Sequence, residues 1–315
     1  MPSIVGTFPG QPEPIHFRIK RGYDKTEVSG KEWLQVEGIL THSLCSSKVE
    51  LVRFKNCDLS VGFFPRAVAC FPNLIRLDLE GSHFTVLPEC IQEFRFLQKL
   101  YVDYCMYLEE IRGIPPCLTY FSALSCKSLS PRSISFLHNQ ELHENGKACF
   151  VIPGETIPGW FEHRSRGGSI SFWFRGNSFP GNALLVAILL KDDIQYYPIL
   201  VTPTVTVNGK EVSFGFRTCE MEELFVFNMS SANFDYIEAA SFENEWNHAE
   251  ISYKVKQIFL MFDEGTSSRY PYYIPQGEDY FDVSTDKVAR EIGIHLLKQK
   301  SSSIREDIRF TSPYK

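Results

Sequence analysis

Histidine and acidic residues that could bind a metal ion lie close together in one short stretch of the sequence. His138 and His143 are five residues apart, with Glu141 and Glu144 beside them. Two histidines on one helix face of a zinc enzyme need the shorter spacing His-Glu-x-x-His. Because the spacing here is different, the sequence predicts no metal site.

Other catalytic patterns are also missing from the sequence. Serine hydrolases use Gly-x-Ser-x-Gly, and phosphate-binding loops use Gly-x-x-x-x-Gly-Lys-Ser/Thr to direct backbone N–H groups at phosphates. Neither pattern occurs, since Ser29-Gly30-Lys31 and Asn208-Gly209-Lys210 lack the upstream glycine. His163, beside Arg164 and Arg166, could bind an anion, but a turn between strands is the more common setting for such residues. We therefore expect no catalytic residue and no cofactor.

Three tryptophans supply an alternative binding chemistry. Trp160, Trp173 and Trp246 could form a platform for sugar rings. Aromatic residues that follow a strand periodicity are more often part of a hydrophobic core. The alternative function is a carbohydrate-binding, lectin-like jelly roll. Secretion and paired cysteines would favour this alternative.

The elements that would position any binding residue begin with a repeat. Four copies of Leu-x-x-Leu-x-Leu-x-x-Asn/Cys start at Val49, Leu74, Leu97 and Leu118, at intervals of 25, 23 and 21 residues. Leucine-rich repeats have periods of about 20–29 residues. The fourth and sixth positions of each copy should point inward, and the small ninth residue should bond backbone groups at the turn. The sequence predicts a leucine-rich-repeat solenoid over residues 49–135.

The remaining strand positions of these repeats would line the concave face of the solenoid. Charged residues and tyrosines occupy them, a composition that suits contact with another protein. The candidate contact residues are Arg53, Lys55, Arg76, Asp78, Glu80, Lys99, Tyr101, Asp103 and Tyr104. An ordinary solvated surface is the alternative interpretation for each of them.

The second half of the chain is punctuated by turn residues and predicts many short strands. The strand candidates are 148–152, 169–175, 183–190, 204–208, 210–217, 224–228, 249–255, 257–262 and 292–297. Asn208-Gly209 indicates a hairpin, because both residues tolerate the positive φ of a type I′ turn. The apolar run Ala183–Leu190 is expected to be a central strand covered on both faces. The predicted fold class is thus an α/β leucine-rich-repeat solenoid end followed by an all-β antiparallel sandwich, jelly-roll or Ig-like, over residues 148–298.

Three further segments complete the predicted organisation. Residues 1–48 form an irregular segment, or a degenerate repeat, with a strand around residues 15–20, and residues 299–315 form a polar tail that we expect to be frayed. Residues 265–286 form a long insert, and long ordered loops are often functional. Its tyrosines Tyr270, Tyr272 and Tyr273 are added to the candidate contact residues.

Composition limits the partners and the compartment. The formal net charge of −6 gives no basic surface for nucleic acid, and the longest apolar run is far shorter than the roughly 20 residues of a membrane helix. The nine cysteines include no Cys-x-x-Cys pair, so free, mostly buried thiols in a reducing compartment are expected. The first residues lack the features of a signal peptide. We expect a cytoplasmic protein without a membrane span, with the nucleus as a second compartment.

Several stretches together resemble a known family. They are Leu87-Pro-Glu-Cys-Ile91, Ile152-Pro-Gly-Glu-Thr-Ile-Pro-Gly-Trp-Phe-Glu-His163, Ser169-Ile-Ser-Phe-Trp-Phe174, Glu245-Trp-Asn-His248 with Ile251-Ser-Tyr253, and Val288-Ala-Arg-Glu-Ile-Gly-Ile-His-Leu-Leu297. This series resembles the C-terminal part of plant TIR-type nucleotide-binding leucine-rich-repeat immune receptors. In that family a jelly-roll and Ig-like domain follows the repeats. The resemblance covers roughly residues 49–298.

The resemblance implies recognition without catalysis. Receptors of this family carry an NAD-cleaving TIR domain and a nucleotide-binding switch domain, and this sequence shows neither. The resemblance implies that the repeats and the C-terminal domain recognise a pathogen effector or a host protein. The resemblance also suggests full-length receptors of the family as partners.

Overall fold

The computed structural model describes residues 3–7, 14–21, 47–54, 57–144, 149–176, 178–190, 199–213, 223–229, 242, 245–258, 280–283, 289–297 and 307–310. The chain divides into two compact units. The first unit includes the chain up to Leu142 together with Phe150–Pro153, and the second includes His143–Cys149 and Gly154–Phe262. Strands predominate in both units, and helices are short.

The first unit is built mainly from short strands. The strands are β1 (Ser3–Thr7), β2 (Pro14–Arg21), β3 (Val49–Phe54), β4 (Arg76–Asp78), β5 (Val86–Leu87), β6 (Lys99–Tyr101), β7 (Glu110–Ile111), β8 (Tyr120–Ser122) and β9 (Cys149–Pro153). The helices are α1 (Phe63–Cys70), α2 (Pro131–Leu137) and α3 (Gln140–Glu144), with a 3-10 turn at Glu89–Glu93. Strands β1, β2 and β3 pair antiparallel, which confirms the strand expected around residues 15–20. Strands β3, β4, β6 and β8 then pair in parallel, in that order.

The four copies of the sequence pattern place their strands in register. Val52, Leu77, Leu100 and Phe121, the fourth residues of the copies, are Cα partners across the parallel strands. The fourth and sixth positions of all four copies are fully buried, as expected from the pattern. Burying these apolar side chains on one side of the sheet is the main source of stability for the parallel ladder.

The turn that follows each parallel strand has a fixed geometry. The eighth residue of the last three copies, Gly81, Tyr104 and Ser125, has a positive φ of 67°, 56° and 54°. The side chain of the ninth residue then donates a hydrogen bond to the carbonyl of the sixth residue in the preceding copy. These bonds join Ser82 Oγ to Phe54 O (2.8 Å), Cys105 Sγ to Leu79 O (3.3 Å) and Cys126 Sγ to Val102 O (2.9 Å). A hydrogen bond therefore connects each of these turns to the end of the strand in the preceding copy.

The second unit consists of antiparallel strands. They are β10 (His163–Ser165), β11 (Ser169–Arg175), β12 (Leu184–Leu190), β13 (Ile199–Val207), β14 (Lys210–Ser213), β15 (Glu223–Asn228), β16 (Trp246–Ile258), β17 (Tyr280–Val283), β18 (Ala289–Leu296) and β19 (Ile308–Phe310). One group runs in the order β15-β12-β18-β10, and a six-stranded sheet runs β14-β13-β16-β11-β19, with β17 beside β16. These large antiparallel sheets are consistent with a β-sandwich.

Two strand predictions for this unit are confirmed in detail. Every residue of β12 is buried, and the strand pairs with β15 on one side and β18 on the other, so it is a central strand. Asn208 and Gly209 have φ values of 48° and 84° and connect β13 to β14 with Val207 opposite Lys210. The hairpin therefore forms as its Asn-Gly sequence predicts.

Other expectations for this unit are wrong. The strand predicted at 249–255 and the start of the one predicted at 257–262 belong to one continuous strand, β16, because no turn residue interrupts the run through Lys256; residues 259–262 lie outside the described residues. Strand β19 pairs with β11, so the tail is not frayed at Ile308–Phe310. The side chains of β19 hold the strand in place, because Ile308 is buried and Phe310 contacts Phe172 with 5.4 Å between ring centroids.

The cysteines correct one further expectation. Six of the described cysteines are free, and four of these are buried. Cys70, in the last turn of α1, is disulfide-bonded. A disulfide requires two cysteine backbones at the right separation in the fold, which spacing along the chain did not reveal. Among the helices in the described ranges, none combines the length and apolarity that a membrane crossing needs.

Candidate functional site

The face of the parallel strands opposite the buried fourth and sixth positions carries the predicted contact residues. The third positions of three copies, Arg76, Lys99 and Tyr120, are Cα partners across β4, β6 and β8. The fifth positions form a second row that includes Arg53, Asp78, Tyr101 and Ser122. Parallel pairing in register thus gathers side chains from four distant parts of the sequence onto one face.

An arginine and two tyrosines stack across this face. The guanidinium carbon of Arg76 lies 4.4 Å from the ring centroid of Tyr101. The rings of Tyr101 and Tyr120 are 5.1 Å apart at an interplanar angle of 33°. We call Arg76, Tyr101 and Tyr120 the Arg–Tyr ladder. All three side chains are partly exposed, so the ladder offers planar surfaces and polar edges to a partner.

A buried carboxylate fixes the arginines of this face. Arg53 Nε donates to Asp78 Oδ2 at 2.8 Å, and Arg76 Nη2 lies 3.7 Å from the same oxygen. The Asp78 side chain is only 3% exposed, whereas those of Arg53 and Arg76 are 26% and 30% exposed. Asp78 therefore holds two guanidinium groups in place while their outer edges remain accessible.

A second buried carboxyl group has neutral donors in place of arginines. Asp103 Oδ1 accepts hydrogen bonds from the Ser122 hydroxyl and from the Leu124 N–H at 2.9 Å. Burial raises the pKa of Asp103 to about 7, and the negative charges of Glu80 and Asp78 act in the same direction. The two hydrogen bonds lower the pKa and only partly offset burial.

The structure divides the predicted contact residues into three groups. Arg53, Arg76, Lys99, Tyr101 and Tyr104 are exposed or partly exposed, so they can contact a partner directly. Asp78, Glu80 and Asp103 are buried beneath them, contrary to the expectation that all nine strand positions line the surface. Their carboxyl groups can act only by holding neighbouring side chains. The remaining candidates, Lys55, Tyr270, Tyr272 and Tyr273, lie outside the residues that the structure describes.

Two residues of the face were not recognised in the sequence. Tyr120 completes the Arg–Tyr ladder, and Ser122 binds Asp103. Both occupy the third and fifth positions of the fourth copy, which correspond to Lys99 and Tyr101 in the third. Extending the repeat register to the last copy would have identified them.

Arg164 and His163, two of the residues considered for anion binding, have structural contacts. Arg164 Nη2 donates to the carbonyl of Pro158 at 2.8 Å, and its Nε donates to the carbonyl of Phe161 at 3.1 Å. The ring of His163 stacks on Phe310, with 3.5 Å between centroids. The guanidinium thus holds the Pro-Gly turn, which supports the structural interpretation of these residues over the anion site.

Glu144 and His143, two of the residues considered for a metal site, also have contacts within the protein. Glu144 Oε1 lies 2.8 Å from Nε2 of His295, whose Nδ1 lies 3.0 Å from Glu162 Oε2. The His143 ring lies 5.7 Å from that of Trp160. Within the described ranges, no group of three or more histidine, cysteine, aspartate or glutamate residues is placed to hold a metal ion.

The tryptophans do not share one environment. Trp160 stacks on Phe161 at 4.2 Å, which leaves less of its ring for a sugar. Trp173 stands between the buried Phe172 and Phe174 in β11 and is 40% exposed. The expectation that it is a core residue is therefore wrong, because strand alternation places it on the outer side of the sheet.

Comparison with known proteins relates the chain to plant defence. The chain is similar to the Disease resistance-like protein DSC2 of Arabidopsis thaliana, with 24% identity over 153 residues. The match covers 40% of this chain and only 13% of the relative. No protein-family model matches the chain. The weak, partial similarity supports a relationship to plant resistance proteins.

Proposed function

We propose that this chain is the non-enzymatic recognition part of an intracellular plant immune receptor, and that it binds a pathogen effector or a host protein. The observation that carries the proposal is the Arg–Tyr ladder on in-register parallel strands. The name of the Arabidopsis relative supports the connection with disease resistance. The relative's own activity and partners are not transferred to this chain.

We further propose that the first unit is the end of a leucine-rich-repeat solenoid. Repeated burial of the fourth and sixth positions, positive φ at the eighth and hydrogen bonding by the ninth support this assignment. A solenoid built from such copies presents one strand face as an extended binding surface. The Arg–Tyr ladder and Lys99 would then lie on its concave side.

The chemistry of this surface favours a protein ligand with acidic and apolar groups. Arg53, Arg76 and Lys99 supply positive charge at the surface, while the compensating carboxyl groups of Asp78 and Asp103 lie below it. Tyrosine and arginine are among the residue types that often contribute strongly to protein interfaces. The ladder therefore combines anchoring rings with donors for carboxylates.

The proposal is tested by direct binding to a panel of purified pathogen effectors. Biolayer interferometry would compare the full chain with Lys99→Glu and Tyr120→Ala, two changes at side chains that are at least partly exposed. We expect at least one effector to bind and each variant to bind it at least about tenfold more weakly, as for central interface residues.

The matched control is Arg95→Glu, a charge reversal at an exposed residue of the first unit away from the ladder. Its affinity should equal that of the unaltered chain, and circular dichroism should show the same fold for all proteins. Equal affinities of Lys99→Glu, Tyr120→Ala and the unaltered chain, or no binding by any effector, would contradict the proposal.

A further inference from the structure

The outer side of the six-stranded sheet carries an aromatic and cationic surface in the second unit. Along β11, Phe172 and Phe174 are buried, whereas Trp173 and Arg175 are exposed. Along β16, Trp246 and His248 alternate in the same way with buried residues. Strand β19 adds the exposed Arg309. We call Trp173, Arg175, Trp246, His248 and Arg309 the Trp–Arg patch.

The register of three neighbouring strands brings these side chains together. Trp173 has Arg309 of β19 as Cα partner on one side and His248 of β16 on the other. The rings of Trp173 and His248 are 4.9 Å apart. The indole of Trp246 has two guanidinium groups near its ring, with Arg309 at 4.2 Å and Arg175 at 5.0 Å from the centroid.

The guanidinium groups of Arg175 and Arg309 differ in their contacts from those of Arg53 and Arg112. Arg53 and Arg112 form ion pairs with carboxylates. Arg175 and Arg309 form no ion pair with any residue that the structure describes, and their contacts are with an indole. Stacking on a ring leaves the N–H edges of a guanidinium directed away from the ring, where they can bind a carboxylate in two-point fashion.

Exposure of Trp173 adds an apolar anchor to these donors. Few large hydrophobic side chains in the described part of the chain are as exposed as this indole, which is 40% accessible. Tryptophan and arginine are among the residue types enriched at positions that dominate interface energies. Their combination at one end of a sheet is typical of a recognition surface.

We propose that the Trp–Arg patch binds an acidic, aromatic-containing segment of another protein. Carboxylates of the segment would bind Arg175 and Arg309, and an aromatic side chain would pack on Trp173. This surface belongs to the second unit and is independent of the recognition proposed for the Arg–Tyr ladder.

Protein is favoured over nucleic acid as the occupant by the surrounding charge. The chain has a net charge of −6, which repels an extended polyanion at long range. Glu250 lies in β16 two residues from His248, on the same side of the strand, and adds a negative charge at the edge of the patch. A short segment that carries a few carboxylates can bind the two arginines and meets much less of that repulsion than a polyanion does.

Fluorescence anisotropy on the full chain would test the proposal. The probe is a short labelled peptide in which glutamate and phenylalanine alternate, and a lysine–phenylalanine peptide of equal length controls for apolar binding. We expect saturable binding of the acidic peptide alone. Trp173→Ala and Arg309→Ala should each weaken it about tenfold, since both remove a central contact.

Two variants serve as controls. Lys254→Ala changes an exposed cation of the same sheet that pairs with Glu211, and it should leave the affinity unchanged. Lys99→Glu, which tests the Arg–Tyr ladder, should also leave it unchanged, so the two proposals can fail separately. If Arg309→Ala does not fold, Arg309→Lys keeps the charge while removing the planar group, and it should still weaken binding.

The outcomes that overturn the proposal are distinct. No saturable binding of the acidic peptide, or equal binding by Trp173→Ala and Arg309→Ala, would show that the patch is not its site. Tighter binding of a short single-stranded oligonucleotide, or of a neutral oligosaccharide, would assign the patch to another class of ligand.

Discussion

Asp103 is the described residue whose environment makes stability depend most clearly on pH. In the folded protein the pKa of the Asp103 carboxyl group is about 7, whereas its ordinary value is 3.8. The folded state therefore binds more protons than the unfolded state between these values. The stabilisation from this group is complete below about pH 4, falls as the pH rises toward 7, and is absent above it.

Replacing Asp103 by asparagine should remove this dependence. The amide keeps an oxygen to accept from Ser122 and Leu124 but does not titrate. Relative to the unaltered protein, Asp103→Asn should gain roughly 1 kcal/mol of unfolding free energy per pH unit between pH 5 and 7. Urea denaturation at several pH values measures the difference. A constant difference across this range would contradict the prediction.

The control for this measurement is Glu109→Gln, which alters an exposed carboxyl group of the same unit. Exposed groups interact with solvent in both the folded and the unfolded state, so their effect on stability is small. The difference between this variant and the unaltered protein should change with pH much less than that of Asp103→Asn.

The sequence predicted which residue types occupy the candidate site better than it predicted which of them are buried. Arg76, Lys99 and Tyr101 are accessible, as the repeat pattern indicates. Asp78, at the fifth position like Tyr101, and Asp103, at the seventh position, are nevertheless buried. Their burial depends on cover from longer side chains of neighbouring copies. A pattern within one copy cannot describe that packing between copies.

At the scale of the element, the turns after the parallel strands depend on the ninth residue. Ser82 is fully buried, accepts from the Cys57 N–H at 3.2 Å and donates to the Phe54 carbonyl at 2.8 Å. Ser82→Ala leaves both backbone groups without these partners, so it should cost about 2 kcal/mol of unfolding free energy. Ser82→Cys should recover part of the loss, because Cys105 and Cys126 make the corresponding bond.

Urea denaturation of these variants checks the prediction, and Ser128→Ala is the matched control. Ser128 Oγ also donates to a carbonyl of the preceding copy, that of Met106 at 2.6 Å, but the bond is exposed to solvent. Water can replace the lost partner there, so the cost should stay below about 0.5 kcal/mol. Equal costs for Ser82→Ala and Ser128→Ala would refute a special role of the buried turn.

Elements with strong local signals were predictable, and those held by distant partners were not. Strand β11 has the predicted bounds, because serine alternates with apolar residues along it. Strands β10, β17 and β19 are three or four residues long and were missed. Each pairs with a longer strand, so its conformation is determined by non-local hydrogen bonds.

At the scale of the whole molecule, the change of pattern near residue 148 was visible in the sequence. The parallel pairs β4–β6 and β6–β8 precede it, and the antiparallel pairs β12–β15 and β12–β18 follow it. The order of strands in the second unit was not predictable, since antiparallel partners such as β12 and β18 are far apart in the sequence. Hydrophobic alternation determines which side of a strand is buried without determining its neighbours.

We expect a core substitution in one compact unit to destabilise mainly the strands of that unit. Leu100 and Leu185 are both fully buried, one in the parallel ladder of the first unit and one in central strand β12 of the second. Each Leu→Ala change should cost about 2–5 kcal/mol. Hydrogen exchange measured by mass spectrometry should then quicken mainly in β4, β6 and β8 for Leu100→Ala, and in β12, β15 and β18 for Leu185→Ala.

The control variant is Val61→Ala, at a residue that is 65% exposed, and it should leave exchange nearly unchanged. If both leucine variants accelerate exchange in the same strands, the two units unfold together. Loss of stability in either unit would then unfold both the Arg–Tyr ladder and the Trp–Arg patch.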